Sequence, residues 1–164
     1  MLRGPRAAPA IADPAVAADA QAYLAAAAES DLFEITTSRL ALQRTQNSEV
    51  RGYANGLIHH HTLTTNMALA AARKAGLPPP PPVMLSEPKL ALVRQLEGQV
   101  GFAFDRAYMD GQLPSHAQAL ELHSRYSRMG GEPRLRRSAA RTIPVVLDHL
   151  AEARRIQGRV AAGL

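Results

Sequence analysis

The stretch Val50–Ala72, VRGYANGLIHHHTLTTNMALAAA, constrains the chain more than any other. It contains no proline, and its apolar residues recur at helical spacing. At about 100° per residue, Val50, Ala54, Leu57, Thr64 and Ala68 all fall within about 60° of His61. His60 falls at the flank beside Tyr53, and His59 points away toward Asn66. Three consecutive histidines thus face three surroundings, and only His61 looks into the interior. The stretch predicts a helix carrying one candidate site.

The remaining composition agrees with helices. Apolar residues are mainly Ala and Leu, with three Phe, four Tyr and no Trp. Small and unbranched side chains favour close-packed helices over sheets. A length of 164 residues is enough for one domain with a real core. The absence of cysteine excludes disulfides, thiolate metal sites and a cysteine nucleophile. The net charge of +5 comes almost wholly from arginine, lysine occurring only at Lys74 and Lys89. These arginines are spread along the chain beside 14 acidic residues, which reads as a solvated surface and not as a nucleic-acid interface. No run approaches the length of a transmembrane helix. The start, MLRGPRAAPAIADPAVAADA, has early arginines but no continuous apolar segment, so no intact signal peptide is expected.

Residues 1–18 are rich in Ala and Pro and are expected to be flexible, with a helical domain over 19–164. A first helix is expected from about Ala20, capped by Asp19, to Thr45. Tyr23, Ala27, Ser30, Glu34, Thr37, Ser38 and Ala41 share its inner face. Ser48 is the expected cap of the second helix, which ends near Gly76. Pro78–Pro82 is a stiff extended connector that cannot be helical. Ser86 is placed to cap a short extra helix through Leu96. A third long helix covers about Gln99–Met129, with an inner stripe of Asp105, Tyr108, Met109, Gln112, His116, Ala119, Leu120 and His123. Pro114 predicts a kink or a helix start there. The fourth runs from about Pro133 to Val160, with Leu135, Ser138, Thr142, Val145, His149, Ala153 and Ile156 inward. Four amphipathic segments with two tight turns predict an all-α four-helix bundle.

Counting from the turns tests whether the inward polar residues share a level. Glu34 lies 47 − 34 = 13 residues before the turn at Asn47, and His61 lies 61 − 47 = 14 after it. His116 lies 131 − 116 = 15 residues before Gly131, and His149 lies 149 − 131 = 18 after it. At 1.5 Å per residue the second pair is staggered by roughly 5 Å. Glu34, His61, His116 and His149, one from each helix, are therefore expected to converge on one layer. Imidazoles with one carboxylate suit zinc, copper or non-haem iron. The same residues also fit a metal-free buried hydrogen-bond network in a structural or interaction module. A third reading is a hydrolase or oxidase using metal-activated water, but nothing in the sequence shows a substrate pocket. No ExxH pair is present on the histidine helices, because Ile58 and Val146 stand three residues before His61 and His149. Asp105 is 116 − 105 = 11 residues from His116, roughly 16 Å along a straight helix, and reads as a local hydrogen-bond partner of Tyr108. His59 and His60 read as surface residues, although a histidine run can take up metal adventitiously, and Glu152, one turn past His149, as a rim residue or an extra ligand.

The segments FEITTSRLAL, YANGLIHHHT, FAFDRAYMDGQLPSHAQAL and IPVVLDHLAEA resemble, in order, those of a bacterial family known as domain-of-unknown-function family 4142. Its members are often labelled exported or outer-membrane proteins. The resemblance runs from about Asp19 to Arg155. It implies a ferritin-like helical bundle and export to the periplasm or cell envelope. The family's recurrent positions fall on Glu34, His61, Asp105, Tyr108, His116 and His149. The chain departs from the family at His60, where an acid usually precedes the histidine of the second helix. The resemblance implies no established activity.

Overall fold

Five α-helices and no strand make up residues 13–164, which the computed structural model describes. They are α1 (Pro14–Arg44), α2 (Ser48–Lys74), α3 (Glu87–Glu97), α4 (Gly101–Met129) and α5 (Pro133–Ala161). Of the segment expected to be flexible, residues 1–12 lie outside the described residues, while 14–18 are helical. The helix starts earlier than expected because Asp13, not Asp19, is its cap. The Asp13 carboxylate accepts from the Ala15 N–H at 2.8 Å, and Pro14 occupies the first turn, where no amide is needed. Asp19 instead accepts the Gly131 N–H at 3.0 Å and ties α1 to the α4–α5 turn.

The α1–α2 turn is closed by Thr45 and Asn47. Asn47 is the cap of α2 in place of the expected Ser48, accepting from Glu49 and Val50 at 2.9 and 3.2 Å. At the other end of α2, Gly76 takes a φ of 74° that a side chain would strain. This lets the Leu77 N–H reach Ala72 and the Gly76 N–H reach Arg73, both at 3.1 Å, in a Schellman closure. Leu77 then packs on Ala72. Glu132 caps α5 by accepting from Leu135 at 2.8 Å. The helix α4 is continuous through Pro114, so no new helix starts there.

The Pro-rich connector lies along α1. Gln21 donates to the Pro78 carbonyl at 3.0 Å, and the Ser86 N–H donates to Glu29 at 2.7 Å. Eight residues of α1 separate those anchors, about 12 Å. The connector and α3 thus return the chain to the end where α1 meets α2. There Arg44 donates to the Gln99 carbonyl, and α4 begins. As a result α4 runs antiparallel to α1, with Ser38 meeting Tyr108 and Tyr23 meeting His123. The long helices contact one another in the cyclic order α1, α2, α5, α4.

Two apolar clusters fill the interior. One holds Val50, Leu57, Phe104, Tyr108, Met109 and Ile156 near the α1–α2 turn. The other holds Ala20, Tyr23, Leu24, Tyr126 and Leu135 near the α4–α5 turn. Each fully buried large side chain stabilises by about 1.5–3 kcal/mol. Between the clusters lies a polar layer. One position on each of two faces differs from expectation: Asp31 is buried where Ser30 was expected, and Val146 where Val145 was, while the other expected inward residues of α1 and α5 are buried. Ala68 and Leu120 are only half-buried.

The α4–α5 turn tests this packing. A Cβ on Gly130 would sit 2.6 Å from the Tyr126 ring and 2.7 Å from its carbonyl oxygen. Gly130→Ala is therefore expected to lower stability by about 1–3 kcal/mol in urea denaturation.

Candidate metal centre

Each long helix contributes to the polar layer. Asp31 and Glu34, three residues apart on α1, project from one face. His61 comes from α2, His116 from α4 and His149 from α5. The three imidazoles are 3%, 1% and 6% exposed. Their ring centroids are 5.8 Å apart for His61–His116, 5.2 Å for His61–His149 and 5.3 Å for His116–His149. One ring nitrogen from each lies within 4.8 Å of the others.

The hydrogen bonds around the rings decide which nitrogens are bare. His116 Nδ1 is 2.9 Å from the Gln112 carbonyl, which only accepts, so the proton is on Nδ1 and Nε2 is free. His61 Nδ1 donates to Asp31 at 2.7 Å. The other Asp31 oxygen accepts from Thr65 at 2.6 Å and Thr64 at 3.3 Å. His149 Nε2 and His60 Nδ1 are 2.8 Å apart. His61 Nε2, His116 Nε2 and His149 Nδ1 have no hydrogen-bond partner in the protein, and neither has Glu34 Oε2. The other Glu34 oxygen accepts from Ser115 and lies 4.0 Å from His116 Nδ1. Glu34 thus abuts the layer on the far side of the His116 ring from its bare nitrogen.

Electrostatics keep two of the rings neutral. Burial lowers the pKa of His116 against the opposing pull of Glu34. Burial, followed by the charges of His61, His116 and His60, brings His149 down to about 3. His61 is also opposed by burial, but its hydrogen bond to Asp31, that residue's charge and the charge of Glu34 together raise its pKa. A neutral ring with its free nitrogen pointing inward is a ligand ready for a cation. A tetrahedral zinc with Zn–N bonds of about 2.0–2.1 Å holds its nitrogens about 3.4 Å apart. The nitrogens of the three histidines, within 4.8 Å of one another, are of the same order of separation.

The structure brings together three of the four residues expected from the level count, with Glu34 beside them. Asp31 was missed, although its spacing of three from Glu34 puts it on the same helical face. His60 was assigned to the surface and is exposed, yet it is bonded to His149. The expected Asp105–Tyr108 pair does not form. The Tyr108 hydroxyl bonds Ser38 at 2.8 Å, while the pKa of Asp105 is raised by burial. Antiparallel packing of α1 against α4 gives Tyr108 a partner across the interface. Glu152 pairs with Arg155 at the rim, as expected.

These features define an all-α protein with a three-histidine centre buried between its long helices. The model of the family described as Domain of unknown function (DUF4142) matches residues 5–156, and the chain belongs to that family. Among solved structures, the crystal structure of a DUF305 fragment from Deinococcus radiodurans is similar at 18% identity, over 90% of this chain and 97% of that one, with a TM-score of 0.71. At that identity the likeness is one of fold. No curated protein matches the chain. Among the described residues, no helix is long and apolar enough to cross a membrane.

Two outcomes follow from the geometry. Asp31→Ala leaves the His61 N–H and two threonine hydroxyls without their acceptor. It is expected to cost roughly 2–5 kcal/mol in chemical denaturation. Asp31→Asn, which keeps one acceptor oxygen, should cost less. The second outcome concerns pH. Histidine has an unfolded pKa of about 6.5. Where the folded value is lower, the unfolded chain binds the extra proton, so stability is full above 6.5 and falls as pH drops toward the folded value. His116, His123 and His149 act in this direction, and His61, with a raised value, opposes them. In chelator, stability is expected to fall by roughly 1–2 kcal/mol between pH 7 and 5, and less in a His149→Gln variant.

Proposed function

We propose that this protein binds one transition-metal ion in its core through His61, His116 and His149. Glu34, the carboxylate expected as a fourth donor, stands beside the outer nitrogen of His116 and acts on the centre as a nearby charge. Zinc, copper and iron all suit such a donor set. The observation that carries the reading is the set of bare nitrogens on the three histidines, whose rings meet at the centre. These three nitrogens and Glu34 Oε2 are buried without a hydrogen-bond partner in the protein. A divalent ion also balances the two buried carboxyl groups, Asp31 and Glu34, when they are ionised.

The long connector that carries the chain back along α1 supports a ferritin-like four-helix bundle, in which one crossover is the rule. The reading extends to a role in metal handling or envelope stress and not in turnover. Three cavities of about 360, 590 and 440 Å³ are lined by residues other than the three histidines. Export to the periplasm or cell envelope is part of the proposal and rests on the family resemblance.

The competing reading is a metal-free packing network. It is favoured by one observation, the fully bonded Asp31 with His61, Thr64 and Thr65. Elemental analysis of untagged protein purified without chelator separates the two. The expected result is near-stoichiometric zinc, copper or iron that disappears in His61→Ala/His149→Ala. At an ion concentration of about 100 Kd, the metal should add about 2.7 kcal/mol, a melting shift of about 5–10 °C. Metal-free protein that also takes up no added ion would leave the packing network as the explanation.

A further inference from the structure

The Pro-rich connector closes a cavity of about 360 Å³ between α1 and α2, which His123 and Thr142 reach from α4 and α5. Its walls are apolar, built by Leu24, Leu32 and Ile35 of α1, Leu69 of α2, and Pro80 and Val83 of the connector. Pro81, which also lines it, is exposed, so the cavity meets solvent along the connector. An apolar cavity of about 150 Å³ holds one benzene, so this one has room for a body of two fused rings.

The polar groups of the cavity are few and nearly all engaged. Asp31 accepts from His61, Thr64 and Thr65, and Thr142 donates to the Ser138 carbonyl. The Tyr23 hydroxyl and His123 Nδ1 are 2.9 Å apart. That is the one hydrogen bond of the His123 ring among the described residues, so Nε2 of this residue, which is 5% exposed, has no partner in the protein. Burial lowers the His123 pKa, and the ring is neutral at neutral pH. The tyrosine hydroxyl can donate to Nδ1 or accept from it, which leaves Nε2 able to take either role toward a third group. No lysine or arginine lines the cavity. An anion would be buried against Asp31 with no counter-charge, and a cation would meet a carboxylate whose oxygens are already taken.

We propose that this cavity binds a small uncharged molecule, an apolar body carrying one hydroxyl or amide group that hydrogen-bonds to His123 Nε2. Apolar walls with a few placed polar groups are the usual make-up of a small-ligand site. The site needs no metal, although it adjoins the three histidines through Asp31, which lines the cavity and holds His61.

The probe is β-naphthol, with β-naphthoate and β-naphthylmethylammonium as the same rings bearing a negative and a positive charge. Full-length protein in chelator would be titrated with each by calorimetry and followed by NMR. One β-naphthol per chain is expected, with both charged probes weaker by about tenfold or more. The methyl signals of Leu24, Ile35, Leu69 and Val83 and the His123 Nε2 signal should shift. Those of Leu92 and Leu96, which line the cavity beside α3, should not. Ala28→Phe places a ring in the cavity from a half-buried position and should weaken β-naphthol by about tenfold or more. Should that variant not fold, the wild-type shifts decide. No saturable binding of β-naphthol, or shifts centred on Leu92 and Leu96, would overturn the site. So would unchanged affinity in a folded Ala28→Phe. A charged probe bound as tightly as β-naphthol would overturn the neutral ligand, and an unmoved His123 Nε2 signal would overturn its anchor.

Discussion

An imidazole buried among apolar helices has one proton and two nitrogens, and its neighbours decide where the proton sits. That constraint organises the centre of this protein. The Gln112 carbonyl holds the proton on the outer nitrogen of His116, and Asp31 does the same for His61. The inner nitrogens are left bare and directed at one another. Each of these inner nitrogens lacks a protein partner for the hydrogen bond it would make in water. The two apolar clusters above and below the layer make this arrangement rigid, since side chains in close-packed cores cannot swing to find other partners.

The placement of the layer follows from the path of the chain. Two tight turns make α1–α2 and α4–α5 antiparallel pairs, each with its functional residues near the middle. The prolines after Leu77 cannot continue α2, and their extended form carries the chain back along α1. With α4 starting beside the α1–α2 turn, Glu34 meets Ser115 and His116, and Tyr53 on α2 reaches the His149 carbonyl at 3.3 Å. The hydrogen bonds of Gln21 and Glu29 to the connector fix that return path.

The fold class and much of the site were legible because helical period and turn chemistry are local properties. The misreadings are also physical in origin. Periodicity assigns an inner face only to within one residue, about 100° of arc. Asp31 in place of Ser30 and Val146 in place of Val145 are both errors of that size, and the packing of the neighbouring helix resolves them. Tyr108 was paired with Asp105 because both lie on one helix. A hydroxyl on α1 proved the nearer partner once the helices were packed. His60 could not be read correctly from α2 alone, because what makes it more than a surface residue is the His149 ring on another helix.

The sequence by itself determined the helices, the turns, the stiff connector and the histidine that each of α2, α4 and α5 turns inward. Backbone propensity, proline geometry and hydrophobic period act within a few residues of one another and need no distant partner. Only the tertiary structure decided which nitrogen of each imidazole is bare, which carboxyl group holds His61, and which histidine connects the layer to solvent. Those depend on atoms brought within about 3 Å across helices, from positions as far apart in the chain as His60 and His149, and no local preference encodes contacts at that range.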